Sequence, residues 1–276
     1  MLRKPAFAGF FYPAQKEQLS AILDQAFPDY ALADRPSLVM VPHAGYVFSV
    51  ATAAEALSGV HLPDTVIILC PSHTGLGSPL GVWPGDAWRT PLGAVNIDKE
   101  LGDELCRNGL FEKDYQCHLR EHAIEVVLPL LQYVRSGNPP LIVPVCVGTS
   151  DPATLKMAAA SLAEAAGEGI QKGSVLLIVS SDMNHYEDEE TTIRKDRRAL
   201  ECVLAQNGEA LLERCAAEHI TMCGAAPMAL ALMTLEKIRN GKTPAIPARL
   251  TGHTTSGAVN NDFEHVVGYA GVRIYS

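Results

Sequence analysis

The sequence predicts a single α/β domain over residues 1–276, a mostly parallel or mixed central sheet flanked by helices. Three observations predict it. Short apolar runs alternate along the chain with longer segments of helical periodicity, the rhythm of βαβ units. Three of those runs, 37–41, 66–70 and 175–179, lead directly into turns that carry a histidine, as buried strands do when they deliver side chains to one end of a sheet. A chain of 276 residues that is 47% hydrophobic can bury one large core, and no linker, repeat or low-complexity segment divides it.

The elements follow in order. Gln15–Phe27 carries Leu19, Ile22, Leu23 and Phe27 at helical spacing, and Ser37–Val41 is the first strand. Ala51–Leu57, rich in small residues, predicts a closely packed helix, and Val66–Cys70 the second strand. The stretch from Pro71 to Asp98, with Trp83, Trp88 and Arg89-Thr90-Pro91-Leu92-Gly93, reads as hairpins or a long excursion over the sheet edge. Asp98–Asn108 opens with an aspartate cap, and His122–Val134 places Ile124, Val127, Leu128, Leu131 and Val134 on one helical face that Pro129 kinks or restarts. Leu141–Val147 is a strand, Pro152–Ala166 a helix begun by Ser150-Asp151-Pro152, and Val175–Val179 the next strand. Thr192–Leu204, Glu209–Ala217 and Gly224–Arg239, closed by Asn240-Gly241, are late helices; Arg249–His253 and Val266–Ile274 are closing strands.

Composition excludes several classes of function. With 22 basic against 31 acidic residues, the formal charge is −9, and no cluster of Lys and Arg is dense enough to neutralise a phosphate backbone, so nucleic acid is not an expected partner. No apolar run approaches the roughly 20 residues needed to span a bilayer, and Pro5, Gly9 and Pro13 break the amino-terminal segment before any signal-peptide core forms. Seven scattered cysteines without CxxC spacing fit reduced thiols, hence a cytoplasmic protein with no membrane association.

The chemistry-bearing residues stand at the strand ends. His43 follows Pro42, whose ring stiffens the turn, and precedes Ala44-Gly45, which leave room for a ligand; His73 repeats the design between Pro71 and Gly75. Two such turns, read as belonging to adjacent strands, point to one shared site. Asp182 and His185 close the third strand, spaced so that the carboxylate orients the imidazole or both face one cavity; simple capping accounts for Ser180, Ser181 and Asp182 but leaves His185 unexplained. Cys223 precedes the helix that starts at Gly224, where free N–H groups and the positive end of the dipole favour a thiolate able to ligate metal or act as a nucleophile. Cys70, Cys146 and Cys202, inside apolar patterns, read as inert buried thiols. His122 and Glu125 would share one helical face, as a metal pair or a solvated polar face. His253 could line the site from a late strand, whereas His61, His118, His219 and His265 read as surface or structural residues.

Pro42-His43-Ala44-Gly45-Tyr46, Pro71-Ser72-His73, Arg89-Thr90-Pro91-Leu92-Gly93, Glu121-His122-Ala123-Ile124-Glu125, Pro144-Val145-Cys146-Val147-Gly148, Ser180-Ser181-Asp182-Met183-Asn184-His185 and Cys223-Gly224-Ala225-Ala226-Pro227 occur in the order seen in the Memo family. The chain resembles that family from Ala8-Gly9 to Tyr269-Ala270-Gly271. In prokaryotes such proteins are often labelled AmmeMemoRadiSam system protein B, which implies a functional link to a radical SAM protein and an AMMECR-type protein. The Memo family is similar in fold to the class III extradiol dioxygenases, which implies a dioxygenase-like architecture and a homodimer. Carried over residue by residue, the resemblance implies that His43, His73 and Cys223 bind a divalent or redox metal, iron or copper with zinc as the alternative. It implies that His185 is an acid/base group, with Asp182 and His122 orienting the site. The dioxygenases use two histidines and a carboxylate; a thiolate in third place shifts preference toward softer metals and is itself oxidisable. The expectation is a metal-dependent oxidoreductase. The alternatives are a zinc- or Cys223-dependent hydrolase or transferase, and a non-catalytic module that binds a peptide or small ligand in the same pocket.

Overall fold

The computed structural model describes residues 1–27, 33–240, 242 and 248–275. At its centre four strands, Leu38–Val41, Val175–Ser180, Thr65–Pro71 and Leu141–Val147, lie side by side in that order and all run parallel. Antiparallel partners extend this core on both sides. Val266–Ile274 pairs with Leu38–Val41 and in turn carries Arg249–Thr255 and His185–Glu187, while Leu80–Val82 pairs with Leu141–Val147. The excursion after Pro71 contains the predicted hairpin: Ala87–Thr90 and Gly93–Asn96 pair antiparallel and join Leu2–Arg3 in a separate three-stranded sheet.

The strands are buried on both faces, so side chains alternate between two cores. Leu38, Met40, Ile67, Leu69, Val143, Val145, Leu177 and Val179 point to one core, completed by helices Pro152–Lys172, Glu189–Leu204, Gly208–Ala217 and Ala225–Ile238. Val39, Val41, Val66, Ile68, Cys70, Ile142, Cys146, Leu176 and Ile178 point to the other, covered by Lys16–Ala26, Tyr46–Leu57, Leu128–Val134 and the two tryptophans. Asp98, Asp151, Asp188 and Asn207 each cap a helix by accepting from the backbone N–H three residues on. Asn240 takes the left-handed conformation after the last long helix; Gly241, its expected companion, lies outside the described residues.

Two expectations change. The helix predicted over 122–134 begins only at Leu128, with Pro129 in its first turn, and residues 123–127 form tight turns, so Pro129 starts the helix and does not bend one. The strands ending at His43 and His73 are not neighbours: Val175–Ser180 runs between them and pairs with both. Because all three run parallel, their carboxyl ends open on the same side, and the strand leading to Asp182 and His185 occupies the middle.

Candidate metal centre

The turns after Leu38–Val41 and Thr65–Pro71 and the segment leading into the helix Ala225–Ile238 bring His43, His73 and Cys223 together, with one ligating atom from each within 4.8 Å of the others. Hydrogen bonds fix which nitrogen each imidazole presents. Ser180 donates its hydroxyl proton to the Ala123 carbonyl (2.7 Å), so its oxygen accepts from His43 Nδ1 at 2.8 Å. His43 is thereby assigned the Nδ1–H tautomer, and its Nε2 lone pair lies 3.3 Å from the Cys223 sulfur. His73 Nδ1 meets the Glu121 carboxylate at 2.8 Å, leaving its Nε2 free as well. An imidazole tied by one nitrogen to a carboxylate or hydroxyl and open at the other is the arrangement that metal-binding histidines adopt.

Burial sets the electrostatics. His43 is 1% exposed, and desolvation, reinforced by the neighbouring His73, depresses its pKa to about 3, so it stays neutral and able to ligate. Burial also lowers His73, but the hydrogen bond and charge of Glu121 outweigh it and the net shift is upward. Glu121 has no exposed surface; the His73 ring and the backbone N–H groups of His73 (2.7 Å) and Ala123 (3.0 Å) overcome its desolvation and draw its pKa down to about 2.

Cys223 is held from two sides. Its sulfur accepts the Asp182 N–H at 3.2 Å, and the next residue, Gly224, donates its N–H to Ser181 Oγ at 3.0 Å. A Cβ on Gly224 would collide with the Ser181 side chain, so glycine here lets the helix start press against the end of the central strand. The sequence expectation of a favoured thiolate is corrected: burial, with the Asp182 carboxylate beside it, pushes the Cys223 thiol well above the ordinary range. Helix-end N–H groups do not offset this desolvation, and a cation at the site would favour the ionised sulfur.

His122 lies against the pair, stacked on His73 at 4.5 Å between ring centroids and edge-on to His43 at 5.2 Å. Phe11 covers its other side at 4.4 Å, and burial lowers its pKa to about 4. Asp182 does not reach out toward solvent. It accepts the backbone N–H of His43 (2.8 Å) and of Ala44 (3.3 Å), so it fixes the turn that carries His43, and burial raises its pKa. His185 is tied at Nδ1 to the Thr221 carbonyl (3.0 Å) and at its N–H to Thr221 Oγ1 (2.8 Å).

The family model described as Memo-like protein matches residues 3–273. The chain belongs to the Memo family. A MEMO1 family protein from Thermotoga maritima is 37% identical, with 98% of each chain covered, and one from Sulfurisphaera tokodaii is 36% identical, with 99% of each covered. A MEMO1 family protein from Aquifex aeolicus is 34% identical over 98% of each chain. Among solved structures, an uncharacterized protein from Escherichia coli K12 superposes with a TM-score of 0.53 at 11% identity, covering 87% of this chain and all of that one, which shows a shared fold alone.

In this Memo-family chain, His43, His73 and Cys223 converge at the strand ends, His122 stacks against the two imidazoles, Asp182 fixes the His43 turn, and His185 is tied to Thr221, two residues before Cys223. Two other expectations do not hold. Glu125 shares no face with His122: in the turns of 121–125 it points the other way, pairing with Arg3 and accepting from Ala6, Phe7 and Tyr12. His253 does not line the site, because its Nε2 is bound to Asp196 at 2.8 Å. The residue that sequence reasoning missed is Glu121, which meets His73 and lies 3.4 Å from His122 Nδ1; with those two histidines it forms a second candidate donor group. Its signal in the sequence is the carboxylate adjoining His122, which the apparent helical periodicity of the segment masks.

Proposed function

We propose that this Memo-family protein is a metal-dependent oxidoreductase whose iron or copper ion is held by His43, His73 and Cys223. The observation that carries the reading is the paired tethering of the two imidazoles, Nδ1 of His43 on Ser180 and Nδ1 of His73 on Glu121, with His43 Nε2 3.3 Å from the Cys223 sulfur and one ligating atom of each of the three residues within 4.8 Å of the others. Two neutral nitrogens and one thiolate are a donor set for a borderline or soft metal, and one that three protein groups hold keeps positions open for a substrate. When bound, such an ion supplies one-electron chemistry and polarises whatever coordinates it.

The chain's own groups have separable tasks in this reading. His185, whose Nδ1 is committed to Thr221, presents Nε2 as a proton donor or acceptor. Asp182 positions the His43 turn, and Glu121 sets the His73 ring. His122, packed between His73 and Phe11, forms a wall that orients a bound molecule and excludes water. Among the described residues no helix is long and apolar enough to cross a membrane, and all seven cysteines are free, which supports placement in a reducing cytoplasm.

The test is anaerobic purification followed by elemental analysis and titration with Fe(II) and Cu(I). About one equivalent of metal is expected, lost in His43→Ala and Cys223→Ser. If the wild-type protein neither retains nor rebinds metal, or if His43→Ala binds it unchanged, the reading is wrong.

A further inference from the structure

Three thiols outside the candidate metal centre are packed together behind it. Cys70 and Cys146 are direct partners across the parallel ladder of Thr65–Pro71 and Leu141–Val147, and Gly81 is the partner of Cys146 on its other side. Gly81 has no side chain, and the space a Cβ would take is filled by the sulfur of Cys117, from the short helix Gln116–Leu119. Cys146 thus lies between Cys117 on one side and Cys70 on the other. All three are buried and unpaired, and all belong to the same hydrophobic core.

The row adjoins the candidate site. Cys146 Sγ donates to the Pro71 carbonyl at 3.6 Å, at the start of the turn that carries His73, and Cys117 lies four residues before Glu121. An apolar core could hold Val or Ala at these positions; three adjacent sulfurs instead place two-electron chemistry within reach of one another.

We propose that Cys146 and Cys117 are a hydroperoxide-sensitive thiol pair that closes to a disulfide behind the His73 turn. The Cys146 sulfur attacks a peroxide oxygen, the O–O bond breaks, and Cys146 becomes a sulfenic acid with release of water. The Cys117 sulfur then attacks Cys146, the S–S bond forms, and the sulfenic oxygen leaves as a second water carrying the Cys117 proton. Two electrons from the two sulfurs reduce one peroxide to two waters, and a small dithiol reverses the change. Cys117 is the partner because a disulfide needs Cβ atoms about 3.5–4.5 Å apart, and opposed residues on neighbouring strands are held nearer 4.8 Å by the ladder itself. Cys70 is locked in that ladder, whereas Cys117 sits on a four-residue helix outside it, its sulfur already in the space beside Cys146 that Gly81 leaves open. Opening of that short helix also gives peroxide its access.

The experiment treats the folded full-length protein with increasing hydrogen peroxide, then alkylates free thiols in denaturant and maps disulfides by mass spectrometry without reduction. The expected result is a Cys117–Cys146 cross-linked peptide as the major product, several-fold above any Cys70–Cys146 product and removed by dithiothreitol. In Cys117→Ser the Cys146 sulfenic acid should persist and be trapped by dimedone. The proposal is overturned if Cys146 remains fully alkylatable while Cys106 or Cys223 oxidises, or if Cys146 links mainly to Cys70. The wild-type map decides the question even if a variant fails to fold, and it does not depend on whether the protein binds metal.

Discussion

Glu121 and Glu125 stand at the two ends of one short turn segment, and neither has any exposed surface, yet they hold different parts of the molecule. Glu125 takes Arg3, the N–H groups of Ala6 and Phe7 and the Tyr12 hydroxyl, which together lash the amino-terminal segment to the domain. Its charge is balanced by a guanidinium that never gives up its proton, so the pairing is fixed. Glu121 takes the ring and backbone of His73 and the N–H of Ala123, and its partner is an imidazole whose far nitrogen faces the candidate metal site. The difference teaches that a buried carboxylate's task is set less by its own environment than by what its partner can do on the opposite side.

The comparison breaks most visibly at Glu125. Replacing it with alanine strands Arg3 as an unpaired buried charge, and a loss of about 3–5 kcal/mol is expected in urea unfolding. A loss under about 1 kcal/mol would show that the anchor is dispensable. Glu121→Gln keeps the shape but not the charge that raises His73, and metal affinity should fall about 10–100-fold, measured by chelator competition, with a smaller cost in stability. Unchanged affinity would reduce Glu121 to a structural residue like its neighbour.

A pH series sharpens the contrast further. His43 and His122 are held down near 3 and 4, so between those values and their unfolded value of 6.5 the unfolded chain binds more protons than the folded one. Stability from these two groups is present above pH 6.5 and drains away as pH falls through that window; Glu121, lowered to about 2 from 4.5, adds a loss in the same direction further down. His73, shifted upward, works the other way, contributing below 6.5 and fading as pH rises through its folded value. The urea midpoint should therefore drop between pH 7 and 4, and less steeply in His43→Asn; identical slopes in the two proteins would contradict the assignment. The smallest effect belongs to Phe10, at the exposed tip of the segment that Glu125 anchors: at 87% exposure, Phe10→Ser should change stability by no more than about 0.5 kcal/mol.

Much of this was legible in the sequence where one physical signal dominated. The apolar runs before His43, His73 and Asp182 could only be buried strands, and Cys223 stood out because it broke the apolar pattern at a helix start. The alternation between two cores follows from those same runs. Strand order was not legible, because nothing local says that Val175–Ser180 inserts between strands that precede it by more than 100 residues. The 121–125 segment was not legible, because Ile124, Val127 and Leu128 satisfy a helical period while packing from turns, a pattern that places Glu125 on one face with His122 and hides Glu121. The state of Cys223 was hidden too, since dipole arguments read from sequence ignore the desolvation that only the assembled fold imposes.

The inserted central strand has a consequence for how the protein is made. His43 and the Asp182 that fixes its turn are 139 positions apart, and His43 and Cys223 are 180 apart. A nascent chain that has emerged only as far as the helix Pro152–Lys172 holds both histidine strands with no ladder between them, since the strand joining them has yet to leave the ribosome. The donor set therefore closes after translation has passed Cys223, and any ion it holds is captured by a finished domain and cannot serve as a template for early folding.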